Sequence, residues 1–371
     1  MERSGYRCAS CQKTYRLEER VFCCSCGGYL DVTGSALFGK EALRSRGRGM
    51  WRYREAFGLP EGAVPVTMGE GSTPVVERRF DGLQCRLKLD YMQPTGSFKD
   101  RGASVLLTLV RHLGITDICE DSSGNAGAAV SAYAAAAGAR CTVFVPAYTP
   151  TGKITQIRMY GAAVVKVPGK RQDANDAALQ HAQNLFYTSH LWHPYFVMGL
   201  KSAAYELWEE CGGSIDTLFV PVGSGGFLEG LFSGFDSLLR AGYAAKLPKL
   251  IGVQASACTP IHTAFTTHLD GYADVSVGTT VAEGIAVQRP PRAAAVLGAI
   301  RASGGYTVAV EDGEILDAAR TLSESGIYVE PTSASVLAAW RKAEKKDREG
   351  AVLILTGSGL KATDRYSALC S

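Results

Sequence analysis

The sequence predicts an α/β protein with mostly parallel sheets, headed by a short segment of a different kind. Three observations carry that expectation. Short apolar, β-branched runs alternate with helical stretches from about residue 63 onward, glycine-rich loops follow several of those runs directly, and five of the 11 cysteines crowd between Cys8 and Cys26. Strand and helix in alternation imply parallel sheets covered on both faces.

Length and composition set the bounds. A chain of 371 residues has room for two or three domains, its 46% hydrophobic content supports a sizeable core, and its 20% charged content argues against disorder. The net charge is +3, with no block of clustered lysine and arginine, so neither nucleic acid nor an anionic membrane is the expected partner. The longest low-polarity stretch, residues 126–139, is too short to span a bilayer. The opening MERSGYRCASC has no apolar core of a secretory signal. With the remaining cysteines scattered singly, the chain reads as a reduced, cytoplasmic protein.

Residues 1–31 form the first expected unit. Cys8 and Cys11 make one CxxC pair, Cys23 and Cys26 a second, eleven residues on. Four thiolates so spaced can surround one zinc ion and hold a segment too short for a core of its own. The alternative is a zinc-free remnant, and Cys24 is surplus under either reading. Beyond it, strands are expected at residues 141–146, 162–167, 217–222, 249–253 and 352–356, with helices at 125–137 and 199–211. In open α/β sheets the loops that leave such strands line the ligand crevice.

Four loops carry the chemistry. In PTGSFKDRG, Pro94 to Gly102, Lys99 follows a Gly-Ser turn and opens a helix, where the helix N-terminus favours its neutral form. In SSGNAG, Ser122 to Gly127, Asn125 sits at a tight turn into a helix. In GSGG, Gly223 to Gly226, a loop follows a strand and precedes a helix, which aims backbone N–H groups at a phosphate. TGSGLK, Thr356 to Lys361, ends a β-rich run near the C-terminus.

Taken together, these strings resemble the fold-type II pyridoxal-phosphate (PLP) enzymes, and among them the threonine synthase family. GEGSTP (Gly69 to Pro74), the segments GVQA (Gly252 to Ala255) and EPTSA (Glu330 to Ala334), and the ribbon-like start extend the likeness over nearly the whole chain. The resemblance implies two open, mostly parallel α/β domains, one of residues 32–102 and 200–371 that binds PLP and a smaller one of residues 103–199. It implies Lys99 as the Schiff-base lysine, and Asn125 on the PLP ring hydroxyl. Ser122, Ser123 and Gly124 would take the substrate carboxylate, and Gly223, Ser224, Gly225 and Gly226 the PLP phosphate. Thr356 would meet the ring nitrogen, with Ser358 the fallback. A homodimer and a small amino-acid substrate are the implied partners.

The implied reaction is elimination and replacement on an amino-acid side chain, foremost the conversion of O-phosphohomoserine and water to threonine and phosphate. Three departures from the family pattern bear on the substrate. Phe196, in HPYF, stands where the family carries an arginine. GSGGF and VAEGIA (Val281 to Ala286) are closer to dehydratases. Lys153, Arg158, Lys170 and Arg171 are candidates for a replacement anion pocket, though surface roles suit most of them. A threonine or serine dehydratase, or a cysteate synthase-like enzyme, is the alternative. His190 and His193, three residues apart, read as packed or surface histidines, with proton transfer or a place facing the substrate as the sharper reading.

Overall fold

The computed structural model describes residues 4–213 and 215–366, less the side chain of Lys153. The chain divides into two compact units, Met1–Gly71 with Lys99–Ser202, and Ser72–Phe98 with Ala203–Ser371. It passes from one to the other three times, once immediately before Lys99.

The first unit begins with a three-stranded antiparallel ribbon in the order Thr14–Arg16, Gly5–Cys8, Leu30–Thr33. Its buried apolar side chains are few, chiefly Tyr6, Tyr15, Leu17 and Leu30. So small a core cannot hold a segment alone. Residues 32–71, expected with the larger domain, fall in this unit instead. Polar ties explain the placement. The Trp51 indole N–H reaches Glu70 (2.8 Å) and Ser104 (3.0 Å), and the Tyr195 hydroxyl donates to the Gly58 carbonyl (2.7 Å).

The rest of this unit is a four-stranded, all-parallel sheet ordered Ala163–Val167, Arg140–Pro146, Asp117–Glu120, Phe186–Tyr187. The alanine-rich helix Asn125–Ala137 has the expected bounds and ends on Gly138 in the left-handed conformation. That glycine is the usual stop signal of a helix. The helix expected over 199–211 is two, Pro194–Leu200 and Ser202–Glu210. Pro194 sets an earlier start, since its fixed φ and missing N–H suit a first turn. The Pro194–Leu200 helix crosses Lys99–His112 at two glycines. A Cβ on Gly199 would lie 2.0 Å from the Arg101 carbonyl oxygen, and one on Gly102 would lie 2.4 Å from the Phe196 ring.

The second unit is built on six strands ordered Tyr306–Val310, Lys249–Ala255, Thr217–Pro221, Val352–Ile354, Leu83–Lys88, Val75–Phe80. All neighbours are parallel except the last pair. The central strand Thr217–Pro221 is buried at every residue, as a strand covered on both faces must be. Trp340, Phe219, Ile251 and Leu353 pack in the core.

Candidate active site

Lys99 is the first residue of the helix Lys99–His112 and is half-buried. Its Nζ lies 5.7 Å from the centre of the Phe196 ring. Phe196 is itself buried and fills the space that Gly102 leaves open. The Ser122–Asn125 loop leads from the strand Asp117–Glu120 into the helix Asn125–Ala137. Ser122 Oγ accepts from the Gly124 N–H (3.3 Å), and no side chain caps the helix start. A Cβ on Gly127 would lie 1.9 Å from the Ser122 carbonyl oxygen, so glycine there lets the helix press against its own loop. Backbone N–H groups at a helix start suit a carboxylate.

Glu70, from the GEGSTP loop, is almost fully buried and is the hub of this neighbourhood. It accepts from Trp51, from Ser104 (2.6 Å), from Tyr133 (2.8 Å) and from the Met68 N–H (2.8 Å). Those bonds hold the loop to both helices.

In the second unit, the residues just before Lys99 run beside two of the other motifs. Ser97 bridges to Gly357, and the Phe98 N–H donates to the Thr356 carbonyl (3.0 Å). The Phe98 ring stacks on Phe227 with centres 4.4 Å apart. Phe227 lies in the first turn of the helix Gly226–Arg240, whose N-cap is Gly225 at φ +83°. A Cβ on Gly225 would strike Val296 at 2.2 Å, and one on Gly223 would approach the Gly284 carbonyl oxygen at 2.8 Å. Only glycine fits at these two positions. Thr356 is buried, its hydroxyl oxygen 3.1 Å from that of Ser333. Ser333 also accepts from the N–H groups of Thr356 (2.9 Å) and Gly357 (2.8 Å), fixing the loop. Ser358, the fallback, instead accepts from the Leu360 N–H (3.3 Å). Ser97 Oγ is fully buried and has no hydrogen-bond partner among the described residues. A glycine cradle, a held hydroxyl and an orphaned hydroxyl beside the lysine fit a phosphorylated pyridine cofactor.

The cysteine cluster differs from expectation by one residue. The sulfurs that meet are those of Cys8, Cys11, Cys24 and Cys26, all within 4.8 Å of one another. Cys23 is outside the cluster, and Cys24 is a member rather than a surplus residue. The turn explains the exchange. Cys24 donates its N–H to the Gly28 carbonyl, accepts from the Gly27 N–H, and receives the Tyr15 hydroxyl at 3.1 Å from its sulfur. Cys23 lies instead on the rim of an open cavity of about 460 Å³, lined also by Phe22, Asp117 and Tyr187. The Cys26 backbone N–H and the Tyr15 hydroxyl draw the Cys24 thiol down to about 6.

The two histidines part company. His193 is completely buried among the rings of Tyr6, Phe186 and Tyr195, and neither ring nitrogen has a partner among the described residues. Burial alone pushes it down to about 3. The unfolded chain binds this proton below about pH 6.5 and the folded one does not, so stability falls with pH from there down to about 3. Between pH 6.5 and 5 the loss is about 2 kcal/mol. His193→Phe is expected to remove that share of the acid sensitivity in denaturant unfolding at the two pH values. Parallel losses in the two proteins would refute the assignment.

His190 is not packed away. Its Nδ1 lies 2.9 Å from Glu120 Oε1, and its ring centre is 6.0 Å from that of Phe196. Of the cations weighed for an anion pocket, Arg171 is committed to Asp121 at 2.7 Å, and the Lys153 side chain lies outside the described residues. Asp121 also accepts from Asn175 and Tyr187.

Two parallel α/β units and these loops define a cofactor-dependent enzyme of the open-sheet kind. The family model described as "Pyridoxal-phosphate dependent enzyme" matches residues 66–357, and the chain belongs to that family. Within it the chain is a member of the threonine synthase family and a PLP-dependent lyase. It is 35% identical to the threonine synthase of Methanocaldococcus jannaschii, over 96% of this chain and 93% of that one. It is 34% identical to that of Methanosarcina acetivorans, over 91% and 86%. Among solved structures, maize serine racemase superposes with a TM-score of 0.68 at 20% identity, covering 80% of this chain and 92% of that one. The T.th. threonine deaminase gives 0.65 at 25%, covering 77% and 92%. These two carry the fold. No helix among the described residues is long and apolar enough to cross a membrane.

Proposed function

We propose that this protein catalyses PLP-dependent elimination and replacement on the side chain of a small amino acid, with O-phosphohomoserine and water giving threonine and phosphate. The observation that carries the reading is the run of Ser97 and Phe98 beside Thr356 and Phe227. It sets Phe98, the residue preceding Lys99, against Thr356 and Phe227, in the loops this reading assigns to the ring nitrogen and the phosphate. Lys99 holds the cofactor and moves the proton at the substrate Cα. Bound PLP supplies the electron sink that makes that proton removable. Asn125 takes the ring hydroxyl, and the N–H groups of Gly223, Ser224, Gly225 and Gly226 take the phosphate. Ser122, Ser123 and Gly124 take the substrate carboxylate. A neutral Thr356 hydroxyl leaves the ring nitrogen unprotonated, which favours side-chain elimination over transamination. A structural zinc on the four thiolates and a homodimer complete the reading.

A second reading is β-elimination or β-replacement on an unphosphorylated amino acid. Phe196 favours it, because an aromatic ring 5.7 Å from Lys99 Nζ offers a phosphate ester nothing. Losing an arginine–phosphate contact costs on the order of 10² in affinity. Phosphate and threonine release from O-phosphohomoserine, measured beside ammonia release from serine and threonine, separates the two. Stoichiometric phosphate and threonine are expected. Oxo acid and ammonia from an unphosphorylated substrate, with O-phosphohomoserine inert, would overturn the first reading in favour of the second.

A further inference from the structure

Beside Lys99 lies a buried acid that none of the roles above uses. Glu120, at the end of the strand Asp117–Glu120, has no exposed side-chain surface. Its Oε1 meets His190 Nδ1 at 2.9 Å, and its Oε2 has no hydrogen-bond partner among the described residues. A buried carboxyl oxygen without a partner is costly and is seldom kept without a purpose. His190 keeps 11% of its side-chain surface open, and its Nε2 makes no hydrogen bond among the described residues. Phe196 touches on both sides of the question, its ring 6.0 Å from that of His190 and 5.7 Å from Lys99 Nζ.

We propose that Glu120 and His190 form a proton-holding pair of this active site, in which Glu120 positions the imidazole and His190 Nε2 serves the side-chain end of the substrate. The proposal rests on the reading of Lys99 as the cofactor lysine. As the bond to the leaving group breaks, its electron pair stays with the departing oxygen, and His190 gives that oxygen a proton. Water, as solvent or as the entering nucleophile, then returns one proton to His190, so the pair ends the cycle as it began.

The surroundings suit that work. Burial, then the cations of Lys99 and Arg171, hold His190 well below its ordinary range. Burial, then neighbouring Asp121, holds Glu120 well above its own. The groups facing the pair are Lys99 from one helix, Arg171 from another, Asp121 just after the strand and Tyr187 from the adjacent strand. Arg171 and Tyr187 both bind Asp121, which leaves Glu120 and His190 to each other. A neutral carboxyl that donates to Nδ1 of a neutral imidazole leaves a proton on Nε2, and can replace it through Nδ1 as Nε2 gives it up. A carboxyl partner on Nδ1 also fixes which nitrogen is left to react.

The test uses His190→Gln, which keeps a hydrogen-bonding group but cannot titrate, and Glu120→Gln. The substrate is O-phosphohomoserine or L-serine, whichever the panel above finds active. Borohydride reduction and peptide mapping first establish whether each variant carries PLP on Lys99. Absence of PLP from Lys99 in the wild type as well would be a failure of the parent reading. With PLP in place, His190→Gln is expected to lower kcat by about 10²-fold with little change in KM, and to erase one limb of the pH profile. Glu120→Gln should shift that limb. In cofactor-free protein, [¹⁵N]histidine NMR should find His190 neutral and protonated on Nε2 between about pH 5 and 8, with Nδ1 accepting from the Glu120 carboxyl. Glu120→Gln should disturb that tautomer. If His190→Gln does not fold, His190→Asn takes its place. A variant loaded on Lys99 with kcat within about threefold of wild type and the same pH profile would overturn the proposal. So would a His190 tautomer indifferent to Glu120→Gln.

Discussion

Lys99→Ala is expected to leave a folded protein that no longer attaches PLP covalently and loses activity by at least about 10³-fold. Two losses combine in it. The cofactor is no longer tethered, and the amine that moves the Cα proton is gone, a role that alone contributes about 10² to 10⁴. Stability should change little, because Lys99 is half-buried at a helix start and lysine and alanine both suit helices. Borohydride reduction of the wild type, followed by peptide mapping, should fix the cofactor on Lys99. Label on another lysine, or undiminished activity in Lys99→Ala, would sink the assignment.

The motif around Lys99 can be read from the sequence because it is local. A Gly-Ser turn, a lysine and a helix start are consecutive residues, and the same holds for the 122–125, 223–226 and 356–358 loops. The alternation of strands and helices was legible for a similar reason, since each element declares itself within a few residues. What was hidden is what only the fold brings together. Glu120 and His190 are 70 residues apart, and nothing near either one announces the other. Ser333 and Thr356 meet across 23 residues. Glu70 was visible as part of a loop, but its four donors come from four separate places in the chain. The break within 199–211 was hidden by a helical pattern that runs through it, and Pro194 signalled only the earlier start. The cysteine exchange was ambiguous in principle. Cys23 and Cys24 are adjacent, and only the turn's hydrogen bonds tell which sulfur faces inward.

That exchange gives the second large effect. Zinc on four thiolates needs sulfurs about 3.8 Å apart, from Zn–S bonds of about 2.3 Å in a tetrahedron. Here the Cys8–Cys26 and Cys11–Cys24 sulfurs are each 3.5 Å apart, close to that spacing. Four thiolates so close repel one another strongly unless a cation is present, and zinc binding to such segments is worth about 10–16 kcal/mol. Three strands of three or four residues, with few buried side chains, cannot replace that. Cys24→Ser is therefore expected to abolish the single zinc per chain and to unfold the ribbon, seen as loss of metal and a lowered melting temperature. Cys23→Ser should keep the metal and shift stability by less than about 1 kcal/mol. The contrast matters because serine at either position removes one thiol, so any difference reports geometry alone. Since four thiolates leave no open position for water, a folded Cys24→Ser protein should still carry PLP on Lys99. Zinc kept by Cys24→Ser and lost from Cys23→Ser would return the knuckle to Cys23, and metal absent from wild-type protein prepared without chelator would remove the zinc altogether.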